Sequence, residues 1–213
     1  MPRMSGLLSH PLAYLWLQRI IGGMRARRMC IEQHVKPRQG DRVLDIGCGP
    51  GYLLDYLPEV EYVGFDTEPG YISYANRRYA GRGDFFTEQF AEDKLSAFEP
   101  FDFVTMMGIL HHLNDEQAAD LLRLAGKALR PGGKVISLDG CYRDGQSPIA
   151  RHMLARDRGE FVRSEDGYLG LTVEVFDQVN VHVREDMFYI PYTIIILECA
   201  AADEVDTLRR NNE

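Results

Sequence analysis

Three glycines in five positions, Gly47, Gly49 and Gly51, follow the apolar run Arg42 to Ile46, and a carboxylate, Asp45, stands two residues ahead of the first. Glycine admits left-handed backbone and lets a ligand approach the chain closely. A strand that feeds such a turn and then a helix offers peptide N–H groups and the positive end of the helix dipole to a bound group. Asp45 would repel a pyrophosphate but attract a ligand that carries an amine. The dinucleotide pattern G-x-G-x-x-G needs glycine at position 52, where Tyr52 stands, which counts against a nicotinamide cofactor. Asp66 ends the run "EYVGFD" 21 positions after Asp45, where a carboxylate can accept both hydroxyls of a ribose. An ammonium, a carboxylate and a nucleoside occur together in S-adenosylmethionine, whose carboxylate can use the N–H groups of the turn.

These residues need elements to hold them. "RVLDIG" reads as a buried strand, "YLLDYL" as a helix leaving the turn, and "EYVGFD" as a second strand. "PGYISYANRRYA" has helical spacing, "DFFTEQF" is strand-like, and "FDFVTMMGIL" is apolar enough for a strand covered on both faces. Asn114 or Asp115 can cap the helix "EQAADLLRLAGKALR", which stops at Pro131, Gly132 and Gly133 before the strand "KVISLD". Ahead of the glycine turn, Leu12, Leu15, Trp16, Ile20, Met24 and Cys30 recur at helical spacing, with Gly22 and Gly23 marking a break between two helices. After Asp139, "SPIARHMLARDRG" and "SEDGYLGLTVEVF" read as helices, and "VNVHVRE" and "YTIIILECA" as closing strands. This alternation predicts an α/β fold, doubly wound around a mostly parallel sheet, with ligands at the carboxyl ends of the strands.

Composition excludes several classes. The chain has 213 residues and ordinary globular proportions, so one domain is expected: N-terminal helices over 1–40, a cofactor-binding core over 41–139, an acceptor lid over 140–178 and closing strands over 179–200. No apolar run approaches the roughly 20 residues of a membrane helix. Four scattered cysteines without a C-x-x-C pair suggest neither zinc nor a disulfide framework, and a cytoplasmic setting fits. The net charge of −8 is uneven: residues 1–42 hold eight basic and two acidic side chains, leaving −14 for the remainder, which offers little to nucleic acid. The basic segment suits an acidic partner or an anionic membrane surface, but is read first as the solvated face of a helix.

"DIGCGPG", "VGFD", "FDFV", "GILHHL" and "LRPGGKVISLD" give the chain its resemblance to the class I S-adenosylmethionine-dependent methyltransferases, in the group of small-molecule enzymes with an "LHHL" signature. The likeness runs from about Arg42 to Asp139 and implies a Rossmann-like, seven-stranded sheet whose last strand is antiparallel, with an N-terminal helical lid. It also implies positions for the cofactor contacts. Asp45, Gly47, Cys48, Gly49 and Gly51 fall on the methionine-binding turn, Asp66 on the ribose acid, and Thr67 beside the adenosine. Where the family has an acid for adenine, this chain has Gln89, with Phe90 supplying a backbone N–H; a shorter strand would put Asp84 there instead. Met106 and Met107 match backbone contacts to the methionine moiety, and Tyr14, one helical turn from Gln18, is placed to close over the cofactor.

Methyl transfer from a sulfonium is an in-line displacement at an already activated carbon, so the protein mainly aligns the partners and excludes water. His111 is the candidate general base and acceptor contact, and His112 is read as a brace for the next helix. No acid lies among Met106 to Leu110, where metal-assisted members of the fold place one, so a metal-free reaction on a small acceptor is expected. Arg143, Arg151, His152, Arg156, Arg158 and Arg163 crowd the expected lid. They suit either an anionic acceptor or a solvated helix face paired with Asp157 and Glu160. Two other readings stay open: a nicotinamide-dependent oxidoreductase, and a protein that binds the cofactor without turnover.

Overall fold

The computed structural model describes residues 11–156, 159–173 and 175–200. The Tyr14 side chain and Arg158, both named above, lie outside the described residues.

The described residues form eight strands in chain order: β1 Arg42–Ile46, β2 Glu61–Phe65, β3 Asp84–Phe86, β4 Phe101–Met107, β5 Leu129–Tyr142, β6 Arg163–Ser164, β7 Gln178–Arg184 and β8 Ile194–Ala200. Seven make the sheet in the order β3-β2-β1-β4-β5-β8-β7, and the two-residue β6 pairs separately with the end of β5. β1 to β5 run parallel, whereas β8 is antiparallel to both β5 and β7. The doubly wound, seven-stranded expectation is met. β1 lies between β2 and β4, with Asp45 opposite Gly64 on one side and Thr105 on the other. The order reverses there, and the carboxyl ends of such strands leave a crevice for ligands.

Among the described residues, six α-helices flank the sheet: α1 Pro11–Ile21, α2 Gly23–Cys30, α3 Pro69–Arg78, α4 Asp115–Lys127, α5 Pro148–Ala155 and α6 Glu165–Gly170. On one face, Ala26, Cys30, Ile31 and Val35 of α2 and its continuation join Leu53, Leu54, Ile72 and Ala75 over Val43, Ile136 and Ile196. On the other, Ala118, Leu122 and Ala125 of α4 and Tyr168 of α6 pack over Leu44, Val104, Val135 and Leu197. α4 begins where its sequence says it should. Asn114 accepts from the Gln117 amide at 2.9 Å, and the Gln117 side chain accepts in return from the Asn114 amide at 3.2 Å, a reciprocal cap that satisfies two otherwise orphaned donors.

Three elements differ from the pattern reading. "YLLDYL" makes only a 3-10 turn, Tyr52–Asp55, in which Tyr52, Leu53 and Leu54 are all buried. Pro58 drives Leu57 out of helical geometry, and β2 begins three residues later, so no α-helix has room to grow. "DFFTEQF" contributes just Asp84–Phe86 to the sheet. The α1 spacing is helical as expected, but its Leu12, Trp16 and Ile20 face outward rather than into the core. Among the described residues, no helix is long and apolar enough to cross a membrane.

Candidate functional site

The glycine turn is left-handed at all three glycines, with φ of 73° at Gly47, 55° at Gly49 and 76° at Gly51. A Cβ on Gly47 would come within 2.1 Å of Ile109 Cδ1, whereas one on Gly49 would meet nothing within 4 Å. Gly47 is therefore needed for packing, and Gly49 leaves open space above the turn. The N–H groups expected to hold a carboxylate are largely in use. Gly47 and Cys48 donate to the Phe65 carbonyl at 2.8 and 3.0 Å, Gly51 donates to Cys48 at 3.0 Å, and Gly49 donates to Asp66 Oδ2 at 2.9 Å.

Asp45 is buried at the end of β1. One carboxylate oxygen accepts from the Tyr62 hydroxyl at 2.6 Å and the other from Thr105 Oγ1 at 2.9 Å. Burial pushes its carboxyl up to about 6, against the opposing pull of those two hydroxyls and of the Arg27 charge. A carboxylate has roughly four lone-pair directions, so two acceptor positions remain. Arg27, from α2, shares with Asp45 a cavity of about 20 Å³ that Gly47, Cys48, Gly49, Tyr52 and Met107 also line, room for about one water molecule. Its guanidinium donates to Gln18 Oε1 at 2.8 Å and, at 3.5 Å, to the Met107 carbonyl. Burial raises the Cys48 thiol, so no thiolate is supplied there. Met106 is wholly buried in the core, and only its neighbour Met107 reaches the cavity.

Asp66 opens instead onto a cleft of about 800 Å³, together with Gly47, Thr67, Gln89, Phe90, Ile109 and His112. That size suits a nucleoside-scale ligand. Burial raises the Asp66 carboxyl, opposed by the Glu68 and Gly49 amides, which donate to it at 2.8 and 2.9 Å. Phe90 is buried edge-on to Phe65 with ring centroids 5.2 Å apart. Gln89, not Asp84, lines the cleft; Asp84 starts β3 and lines a separate hollow with Arg42 and Glu61 at the opposite edge of the sheet. The two acids thus open onto adjacent cavities joined at Gly47 rather than onto one continuous groove.

His111 is buried, and its Nδ1 lies 2.7 Å from Asp139 Oδ1, which also accepts from the His111 amide at 3.2 Å. That carboxylate places the proton of a neutral ring on Nδ1 and the lone pair on Nε2. The Nε2 edge is flanked by glycines: a Cβ on Gly108 would lie 3.5 Å from Cε1, and one on Gly159 would lie 2.0 Å from Cδ2. His111 does not line the large cleft, and His112, expected to be structural, does. The two rings stand 4.2 Å apart.

The structure does not bring the expected anion-binding side chains together. Arg143, Arg151, His152 and Arg156 are exposed, and none lines the cleft. Arg151 lies over the Tyr142 ring, 5.3 Å from its centroid. Arg163 is the engaged member: its buried guanidinium reaches Asp115 at 2.8 Å and the carbonyls of Leu110 at 2.9 Å and Leu113 at 2.6 Å. With Phe161 N donating to the His111 carbonyl at 3.0 Å, it ties the segment 159–163 across the histidine pair. Sequence reasoning missed Arg27, Tyr62, Thr105 and Asp139. Only the end-of-strand position of Asp139 gave a signal, since the other three contacts join elements distant in sequence.

Residues 44–135 match the methyltransferase domain family. The chain is 30% identical to phosphoethanolamine N-methyltransferase 1 of Arabidopsis thaliana, over 78% of this chain and 35% of that protein. It is 35% identical to the ubiquinone biosynthesis O-methyltransferase of Azorhizobium caulinodans, over 48% of this chain and 41% of that protein. The chain therefore spans well under half the length of either relative. Its fold is similar to that of magnesium protoporphyrin IX methyltransferase from Synechocystis PCC 6803, solved with bound S-adenosylhomocysteine, with a TM-score of 0.66, 17% identity, and 87% of each chain covered.

Proposed function

We propose, from the premise that the chain belongs to the class I S-adenosylmethionine-dependent methyltransferases, that it methylates a small-molecule acceptor by direct in-line transfer. The observation that carries this reading is Asp45, a buried carboxylate next to a left-handed glycine turn, one strand away from Asp66 at the mouth of a nucleoside-sized cleft. The residue types suit the methyl donor, whose amino-acid end needs the 20 Å³ cavity between Asp45 and Arg27 to open: Asp45 is the anion for its ammonium, Arg27 the cation for its carboxylate, and Asp66 the acceptor for its ribose hydroxyls. Gln89 and Thr67 are polar groups for the base, between the apolar walls of Phe90 and Ile109. When bound, the donor supplies a sulfonium carbon that needs no Lewis acid.

The chain's own work is alignment and proton removal. His111, held by Asp139 with its Nε2 edge between Gly108 and Gly159, is the base for an acceptor hydroxyl or amine. The segment 159–163, anchored by Arg163, is the cover that keeps water from that corner. An anionic acceptor gains no support from Arg143, Arg151, His152 and Arg156, which stand away from the cleft.

Calorimetric titration with S-adenosylhomocysteine tests the donor site. Binding should be saturable and should be lost or strongly weakened in Asp66→Ala. Absence of heat with the wild-type protein would refute the reading, and tighter binding of NADH would favour the oxidoreductase. Transfer of labelled methyl from S-adenosylmethionine into small molecules of a cell extract then separates a working enzyme from a protein that only binds the donor.

A further inference from the structure

Away from the cofactor cleft, His34, His182 and Glu198 meet from three different elements, and their ligating atoms all lie within 4.8 Å of one another. His34 lies on a π-helical turn, Ile31–Val35, that continues α2. His182 is on β7 and Glu198 on β8, on the same face of the antiparallel pair and two residues off register, since Glu198 opposes Asn180. Glu198 Oε1 is 2.6 Å from His34 Nδ1 and 3.0 Å from His182 Nε2. His34 is about nine-tenths buried and turns its Nδ1 to the carboxylate, while the ligating atom of His182, the buried Nε2, makes no hydrogen bond despite its closeness to Glu198. Buried imidazole nitrogens without partners are costly. π-Helical turns of this kind are commonest at functional sites.

We propose that His34, His182 and Glu198 bind a divalent transition-metal ion of the zinc class, clamping the π turn onto the β7–β8 hairpin. Two imidazoles and one carboxylate suit Zn²⁺, which takes such ligands at about 2.0–2.2 Å and completes four-coordination with water. Tetrahedral ligands at that distance stand roughly 3.3–3.5 Å apart, so the 2.6 and 3.0 Å contacts to Glu198 must open and the two imidazoles settle within their present 4.8 Å limit, a rearrangement of side chains alone. The side chain of His182 is 40% exposed and leaves a solvent side for entry and for the water ligand. The metal site is separate from the methyl donor site: none of its three residues lines either cofactor cavity. Its effect on the protein is to fix α2, the helix that carries Arg27.

Untagged protein is treated with chelator, dialysed, and titrated with ZnCl₂ and with CoCl₂. One equivalent of Co²⁺ should give the visible bands of a tetrahedral ion with nitrogen and oxygen ligands. Zn²⁺ at ~100 times its dissociation constant should raise the melting temperature by roughly 5–10 °C. His182→Ala, on the more open strand, and the isosteric Glu198→Gln should each weaken binding beyond the ~10–100-fold typical of lost outer-shell partners. Their metal-free melting curves report whether the fold survives. No metal-dependent shift in wild-type protein, or the same shift in both folded variants, overturns the site. Donor binding by calorimetry is scored separately, so failure here leaves the methyltransferase reading standing.

Discussion

The proposed pairing of Asp45 with the donor's ammonium should make donor binding depend on pH, by an amount set by its surroundings. Its carboxyl titrates at about 6 because burial outweighs the Tyr62 and Thr105 hydrogen bonds. Only the ionised form pairs with an ammonium. The ionised fraction falls from about 0.9 at pH 7 to ~0.1 at pH 5, so this contact alone weakens S-adenosylhomocysteine binding by roughly tenfold, or ~1.4 kcal/mol. Asp45→Asn removes the charge and should cost ~10–100-fold at pH 7. The ratio of variant to wild-type dissociation constants then shrinks about tenfold between pH 7 and pH 5, while the titrations of Asp66 and of the ligand cancel. Stability moves the other way. The folded pKa is raised above the ordinary value, so ionisation costs stability as pH rises through about 6, amounting to ~3 kcal/mol at pH 7 for a shift of about two units. The asparagine variant should thus gain melting temperature relative to wild type from pH 5 to pH 7 as it loses the ligand. A ratio that stays constant across that range refutes the role of Asp45 as the ammonium's partner.

Arg27→Ala should weaken S-adenosylhomocysteine by about tenfold or more in calorimetry, with partial recovery in Arg27→Lys, which keeps the charge but loses the fork. Asp139→Asn should leave donor affinity unchanged while turnover of an identified acceptor falls roughly 100-fold or more and the pH–rate profile shifts, because the ring loses the carboxylate that sets its tautomer. Arg163→Ala strands the Leu110 and Leu113 carbonyls, while the exposed Asp115 carboxylate turns to water, for a loss of about 1–3 kcal/mol per carbonyl in urea unfolding. Arg163→Lys should restore little of it, since an ammonium cannot span three acceptors arranged around a planar guanidinium.

What the sequence made legible is what local pattern controls. The β1 run, the glycine turn and the aspartates at two strand ends are written in contiguous residues, and the Asn114–Gln117 cap of α4 is a four-residue signal. The failures at the site share one cause, which is that partners come from elsewhere in the chain. Gly47 and Cys48 are glycine-turn amides by pattern, yet both are taken by the Phe65 carbonyl of the neighbouring strand. The arginines of the expected lid have similar local surroundings, and among the described ones only Arg163 is seen to meet buried carbonyls, those of Leu110 and Leu113, some 50 residues away in sequence. His34, His182 and Glu198 are each unremarked in sequence and acquire meaning only when the π turn packs on β7 and β8.

The short link between the glycine turn and β2 explains why Arg27 matters here. A full helix after the turn would cover the sheet near Asp45 and aim its dipole at the ligand, but Tyr52–Asp55 is one 3-10 turn and aims almost none. The space is covered by α2 instead, whose Ala26 and Cys30 pack with Leu53 and Leu54 in the same core. A helix in that place brings its own side chains to the turn, and Arg27, facing the Asp45 cavity, supplies as a whole charge what the missing dipole would have supplied as a fraction of one. The turn amides are then free to brace the sheet through Phe65 and Asp66, and in the proposed site recognition of the donor's carboxylate passes from backbone to side chain.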